Sequence, residues 1–221
     1  MSYKKIMFLI GLWVIFLVPG AGVSQTEKEA PPKTPEAKVT TAKQPESDFQ
    51  KARENFLKKD FKASAEAIRR GVTYLASPEG RAEEGREKTF LASQEELRRL
   101  AERVEKGSVK SVKELNRALA RGSHGLAKYH YLKATESWAK KETAKAGQEL
   151  DAASTYLASG VKQAEGKVKR GVEKVIEDTH LLAEKLKQGT GWVDTEAEKG
   201  IQALGKEIDK LGKKVKAPKK S

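Results

Sequence analysis

Chemistry at a protein site needs particular side chains brought together, and this chain of 221 residues offers few of them. Its three histidines, His124, His130 and His180, lie six or more residues apart. None forms the i, i+3 or i, i+4 pair that grips a metal ion from one helix face. Cysteine is absent, which removes thiol catalysis, zinc ribbons, iron–sulfur ligation and disulfide staples. There is no GxSxG elbow and no HExxH pair, and no Ser, His and Asp fall in an order that suggests a nucleophilic triad. Gly189-Thr190-Gly191 lacks the third glycine and the Lys-Ser/Thr of a phosphate cradle, and reads as a helix stop and restart. Adjacent carboxylates such as Glu83/Glu84 and Glu95/Glu96 project about 100° apart on a helix, as solvated faces do. The expectation is a non-enzymatic chain without catalytic residues, metal ligands or a cofactor.

Binding is the chemistry that remains. Lys and Arg number 44 against 31 Asp and Glu, a formal net charge of +13. The excess gathers at the C-terminus, where Lys206, Lys210, Lys213, Lys214, Lys216, Lys219 and Lys220 face only Glu207 and Asp209. Such a patch draws polyanions through surface potential and counterion release; lysines near a helix C-terminus also complement the helix dipole. Lysine without arginine or aromatics does not read bases, so nucleic acid is not the expected partner; another protein or peptide is, with anionic lipid or polysaccharide as the alternative. Tyr129 and Trp192 are candidate contacts for a protein or peptide partner. Tyr131 and Trp138 are expected in the core, because each aligns with a phenylalanine in an internal repeat.

That repeat organises the chain. Thr73-Tyr74-Leu75-Ala76-Ser77 recurs as Thr155-Tyr156-Leu157-Ala158-Ser159, and the same offset pairs Phe49 with Tyr131, Phe56 with Trp138, Lys58-Lys59 with Lys140-Lys141, and Gly107 with Gly189. Each copy has helical periodicity. Phe61, Ala65, Ile68, Val72 and Leu75 step by three and four, and so do Ala197, Ile201, Leu204, Ile208, Leu211 and Val215. Ser47 with Gln50, Ser93 with Glu96, and Ser111 with Glu114 read as capping boxes that open helices. Pro78 with Gly80 interrupts the first copy. In the second, Val161, Ala164, Val168, Val172, Val175, Leu182 and Leu186 suggest one long helix. Gly200, Gly205 and Gly212 weaken the last helix, 194–216, in isolation, so it needs a surface to pack on. No alternating run of β-branched residues predicts a strand. The expected fold is all-α: an antiparallel helical bundle or short solenoid built from two similar helical-hairpin repeats.

The hairpin over residues 52–76 resembles a tetratricopeptide-type unit in Ala52, the turn Asp60-Phe61, Ser64, Ile68 and Gly71. It lacks the early aromatic and leucine of that pattern, has Asn55 where a tyrosine is usual, and covers one unit. It is TPR-like at most; the resemblance implies helical-hairpin packing and a peptide-binding groove.

The N-terminus carries an address. Lys4 and Lys5 precede the uncharged apolar run 6–18, then Pro19, Gly20 and the small residues Ala21, Gly22 and Ser24. This order is that of a secretory signal peptide cut near Ser24, with an uncleaved membrane anchor as the alternative. The expected organisation is a signal over 1–24, a Pro/Lys/Glu linker over 25–46, helical repeats over 47–122 and 123–216, and a basic tail over 217–221. The expected function is a binding scaffold, adaptor or chaperone-like factor, periplasmic or secreted. The alternative is an envelope-associated binder of polyanions or anionic lipid through the C-terminal lysines.

Overall fold

A computed structural model describes residues 43–75 and 87–216. The signal segment, most of the linker, Pro78 with Gly80, and Lys219 with Lys220 lie outside these described residues. Within them are seven helices: α1 (Lys43–Leu57), α2 (Phe61–Leu75), α3 (Glu87–Glu105), α4 (Val112–Ala139), α5 (Thr143–Glu165), α6 (Arg170–Gln188) and α7 (Asp194–Val215). No strand occurs among the described residues. The described part of the protein is all-helical. No helix among the described residues is long and apolar enough to cross a membrane.

Tight turns fold the chain back on itself. Between α1 and α2, Lys59 adopts a left-handed conformation at φ 62°. Its N–H reaches the Phe56 carbonyl at 3.0 Å, and the Asp60 N–H reaches that of Asn55 at 2.9 Å. Asp60 then caps α2, its carboxylate accepting from the Ala63 N–H at 2.9 Å. The turn between α4 and α5 has the same form: Lys141 sits at φ 61°, and Lys141 and Glu142 donate to Trp138 and Ser137 at 3.0 and 2.9 Å. Gly107 after α3 and Gly189 after α6, at φ 63° and 72°, close their helices through the Val104 and Leu186 carbonyls. Every one of these pairs is separated by the offset of the sequence repeat. So are the ends of α1 and α4, the starts of α2 and α5, and the starts of α4 and α7.

Several boundaries differ from the sequence reading. Residues 43–46, expected as linker, belong to α1; Pro45 falls in its first turn, where a missing N–H costs nothing. Ser47 and Ser93 are therefore interior helix residues, not caps. Ser111 does cap α4, accepting from the Glu114 N–H at 3.2 Å. The long helix expected across 161–186 is two helices, broken where Gly166 enters the left-handed region at φ 78°. An unobstructed glycine makes that conformation accessible, and the apolar spacing on either side conceals the break. The boundary expected at 122/123 falls within α4, which is continuous.

Each helix packs on the next, with α4 and α5 the closest pair, and α7 returns to lie against α4, α5 and α6. Leu97, Leu115, Leu119, Leu126, Leu150, Leu157, Leu186 and Leu204 are fully buried in the shared core. The glycines of α7 explain how it docks. A Cβ at Gly205 would sit 2.5 Å from the Tyr131 Oη, and one at Gly212 would sit 2.5 Å from the His124 Nε2. These residues weaken α7 as an isolated helix and allow α4 side chains to lie directly on its backbone.

Candidate functional site

Three polar constellations form once the helices are assembled. The first brings Ser154, His180 and Asp151 together across α5 and α6, a grouping invisible in the sequence order. The His180 Nδ1 lies 2.6 Å from the Asp151 Oδ1. The Ser154 Oγ lies 3.3 Å from Nδ1 and 3.4 Å from Nε2. A nucleophilic triad divides the two ring nitrogens, one to the acid and one to the hydroxyl. Here the nitrogen bound to Asp151 is also the one nearer the hydroxyl. Ser154 is also fully buried and donates to the Asp151 carbonyl at 2.9 Å. The His180 hydrogen bond, opposed by burial and aided by Lys187, holds the Asp151 carboxyl below its ordinary range. The arrangement ties α5 to α6 electrostatically and does not activate a serine.

The second lies between α4 and α5. Glu149 accepts from His130 and from Lys133, each at 2.7 Å. Stacked on the Tyr156 ring at 5.4 Å, His130 meets Tyr129 edge-on at 5.0 Å. Lys133 lies 5.4 Å from the Tyr129 centroid, a cation–π approach. Burial pushes the Glu149 carboxyl up, but His130 and Lys133 together outweigh it and hold the group below its ordinary range. For Lys133, burial lowers the ammonium and Glu149 more than restores it. These groups satisfy one another.

The third is an open cleft of about 630 Å³ bounded by α3, α4 and α7. Ala92, Gly125 and Gly212 supply small surfaces that leave the space, while Lys128, Lys213 and Lys216 line it without an ion pair among the described residues. Arg121 is occupied by Glu96. Asp209 is the other acid on the wall, so the unpaired ammonium groups outnumber it. His124 lies over Gly212. Burial pushes its imidazole below the ordinary range, Lys128 adds to the shift, and Asp209 opposes it. A half-buried imidazole beside an ammonium is disfavoured in its charged form, because each positive charge raises the cost of the other.

The expected site residues divide among these places. Lys213 and Lys216 line the cleft, and exposed Lys206 stands on the same edge of α7. Lys210 pairs with Glu207 at 2.5 Å and Lys214 pairs with Glu165 of α5, so both stabilise the fold and contribute less free charge. Tyr129, expected on a partner-facing surface, is 1% exposed and packs against Phe90 at 4.5 Å; its ring is a core element. Trp192 is half-buried, edge-on to Trp138 at 5.2 Å, its indole N–H turned inward without a hydrogen-bond partner among the described residues. Tyr131 and Trp138 pack on the core from partly buried positions.

Sequence reasoning missed Arg121, His124 and Lys128 as members of a site. Their spacing on α4 was legible, but only the return of α7 places Lys213 and Lys216 opposite them. Comparison with protein-family models, curated proteins and solved structures finds no match for this chain, the tetratricopeptide-like hairpin included.

Proposed function

We propose that this protein is an exported, non-enzymatic helical binding protein whose partner is an anionic surface of the cell envelope. The observation that carries the reading is the cationic cleft of α3, α4 and α7, where three ammonium groups without ion-pair partners among the described residues converge. The basic sequence after Lys216 extends the same charge. Attraction of this kind is worth about 1 kcal/mol per lysine close to an anionic membrane. The fold that supports it is a helical unit used twice, with α4 closing the first copy and opening the second. The repeated turns at Lys59 and Lys141 and the repeated stops at Gly107 and Gly189 favour that duplication.

A scaffold or adaptor for another protein is the neighbouring reading, but burial of Tyr129 removes one of its two expected contacts. Sedimentation of the mature chain, residues 25–221, with vesicles tests the choice. Phosphatidylglycerol vesicles should carry the protein down and phosphatidylcholine vesicles should not. A combined Lys206→Gln, Lys213→Gln and Lys216→Gln variant should stay in solution with its helical content intact. Equal retention on both vesicle types contradicts the reading.

A further inference from the structure

The cleft has more specificity than a diffuse basic patch, and its chemistry names a ligand class. We infer that the α3–α4–α7 cleft seats a single phosphate group, as a lipid headgroup or as soluble phosphate, between Lys128, Lys213 and His124. The inference rests on the proposed binding of anionic surfaces and adds a defined site to it.

The donor set argues for phosphate over carboxylate. Planar carboxylates are best met by the paired N–H groups of a guanidinium, and the only one on the wall among the described residues, Arg121, is held by Glu96. Lysine acts as a point charge with three rotatable donors, suited to a tetrahedral anion presenting oxygens in several directions. Lys128 approaches from α4 and Lys213 from α7, so the ligand would also join the two helices. His124, carried on the same face of α4 one turn before Lys128, adds an N–H when protonated. The Gly212 backbone beneath its ring leaves room that any side chain there would occupy.

Protonation follows from this geometry. His124 shares the lining of the open cleft with Lys128 and Arg121 of α4, Lys213, Lys216 and Asp209 of α7, and Glu96 of α3, of which Lys128 and Asp209 act on its charge. Burial and the ammonium of Lys128 hold it neutral at neutral pH. A bound phosphate raises the imidazole pKa, so the complex binds a proton that the free protein does not. For a phosphodiester headgroup, which keeps its single charge as the imidazole titrates, affinity therefore rises as pH falls through the value in the complex, and levels off below the value in the free protein; inorganic phosphate gains a proton of its own in this range, so the pH trend is read with the diester.

Nuclear magnetic resonance of the mature chain with inorganic phosphate tests the site, with histidine ring protons as the readout. The expected result is a saturable shift confined to His124 and a raised titration midpoint, with His130 and His180 unmoved. Lys128→Ala with Lys213→Ala should weaken phosphate binding roughly 30-fold, at about fivefold per lysine. His124→Asn should abolish the difference in phosphatidylglycerol binding between pH values above and below the titration. Saturation by inorganic phosphate, with vesicles competing for it, identifies the headgroup and the soluble anion as alternative ligands. A shift produced by lipid phosphate alone restricts the site to headgroups. Vesicle binding that survives the lysine pair and leaves His124 unperturbed overturns the cleft while sparing the broader reading. Loss of vesicle binding altogether in the unmodified chain overturns both.

Discussion

At the scale of single residues, the polar groups that resemble machinery are mostly fastenings. Glu149 illustrates the energetics. Its carboxylate is stabilised in the folded chain by His130 and Lys133 against the cost of burial. A carboxyl whose folded pKa lies below its unfolded value contributes stability that is complete above the unfolded value and is lost as pH falls through the folded one. Glu149→Gln should therefore cost about 2 kcal/mol at neutral pH, between the ranges for exposed and fully buried pairs. The gap between variant and parent should narrow as pH drops below about 4.5, the ordinary carboxyl value; urea unfolding across that range measures it. Trp138→Ala should cost about 3 kcal/mol, because the ring is only partly buried but packs on both the core and Trp192. Here the sequence was a partial guide. Alignment with Phe56 places Trp138 against the core, whereas Tyr129, without a phenylalanine match in the repeat, stands as a candidate partner contact. Its burial depends on Phe90 of α3, which no local pattern announces.

At the scale of helices, punctuation was read more accurately where the signal is a backbone requirement than where it is a preference. Gly189 ends a helix and Ser111 caps one as expected; Gly107, its repeat match, also ends a helix, and Asp60 caps α2. Ser47 and Ser93 have the same local signature and lie mid-helix, since a capping pair stabilises a start without compelling one. Gly166 was passed over because apolar residues recur in step on both sides of it. The left-handed lysines at 59 and 141 suggest a direct check. Replacing either by glycine should stabilise the protein by about 0.5–1 kcal/mol, relieving the Cβ strain at that turn. A loss of stability in both variants would contradict the shared turn geometry. At Gly147 the sign reverses. A Cβ there would meet the Ala183 carbonyl oxygen at 2.6 Å, a backbone atom that cannot rotate away. Gly147→Ala should lose about 1–3 kcal/mol by prising α5 from α6, despite the better helix propensity of alanine.

At the scale of the whole molecule, the proposed function combines an expected export signal, a recurring helical pattern and a basic charge distribution. The all-helical class was legible from three-and-four spacing alone, because every helix buries one stripe. The cleft was not, because its α4 and α7 walls are about 80 or more residues apart in sequence and meet only when α7 packs against α4. For the address, N-terminal sequencing of protein recovered from an exporting host should begin at Gln25; retention of Met1 would support the anchored alternative. Charge supplies the most direct measurement of all. Affinity of the mature chain for phosphatidylglycerol vesicles should be followed as added salt shortens the screening length from about 30 Å to about 3 Å. A steep decline is predicted for the unmodified chain, with a much shallower slope for the Lys128→Ala/Lys213→Ala variant. Binding that is insensitive to salt, or equally sensitive in both proteins, would contradict a function carried by the charged cleft.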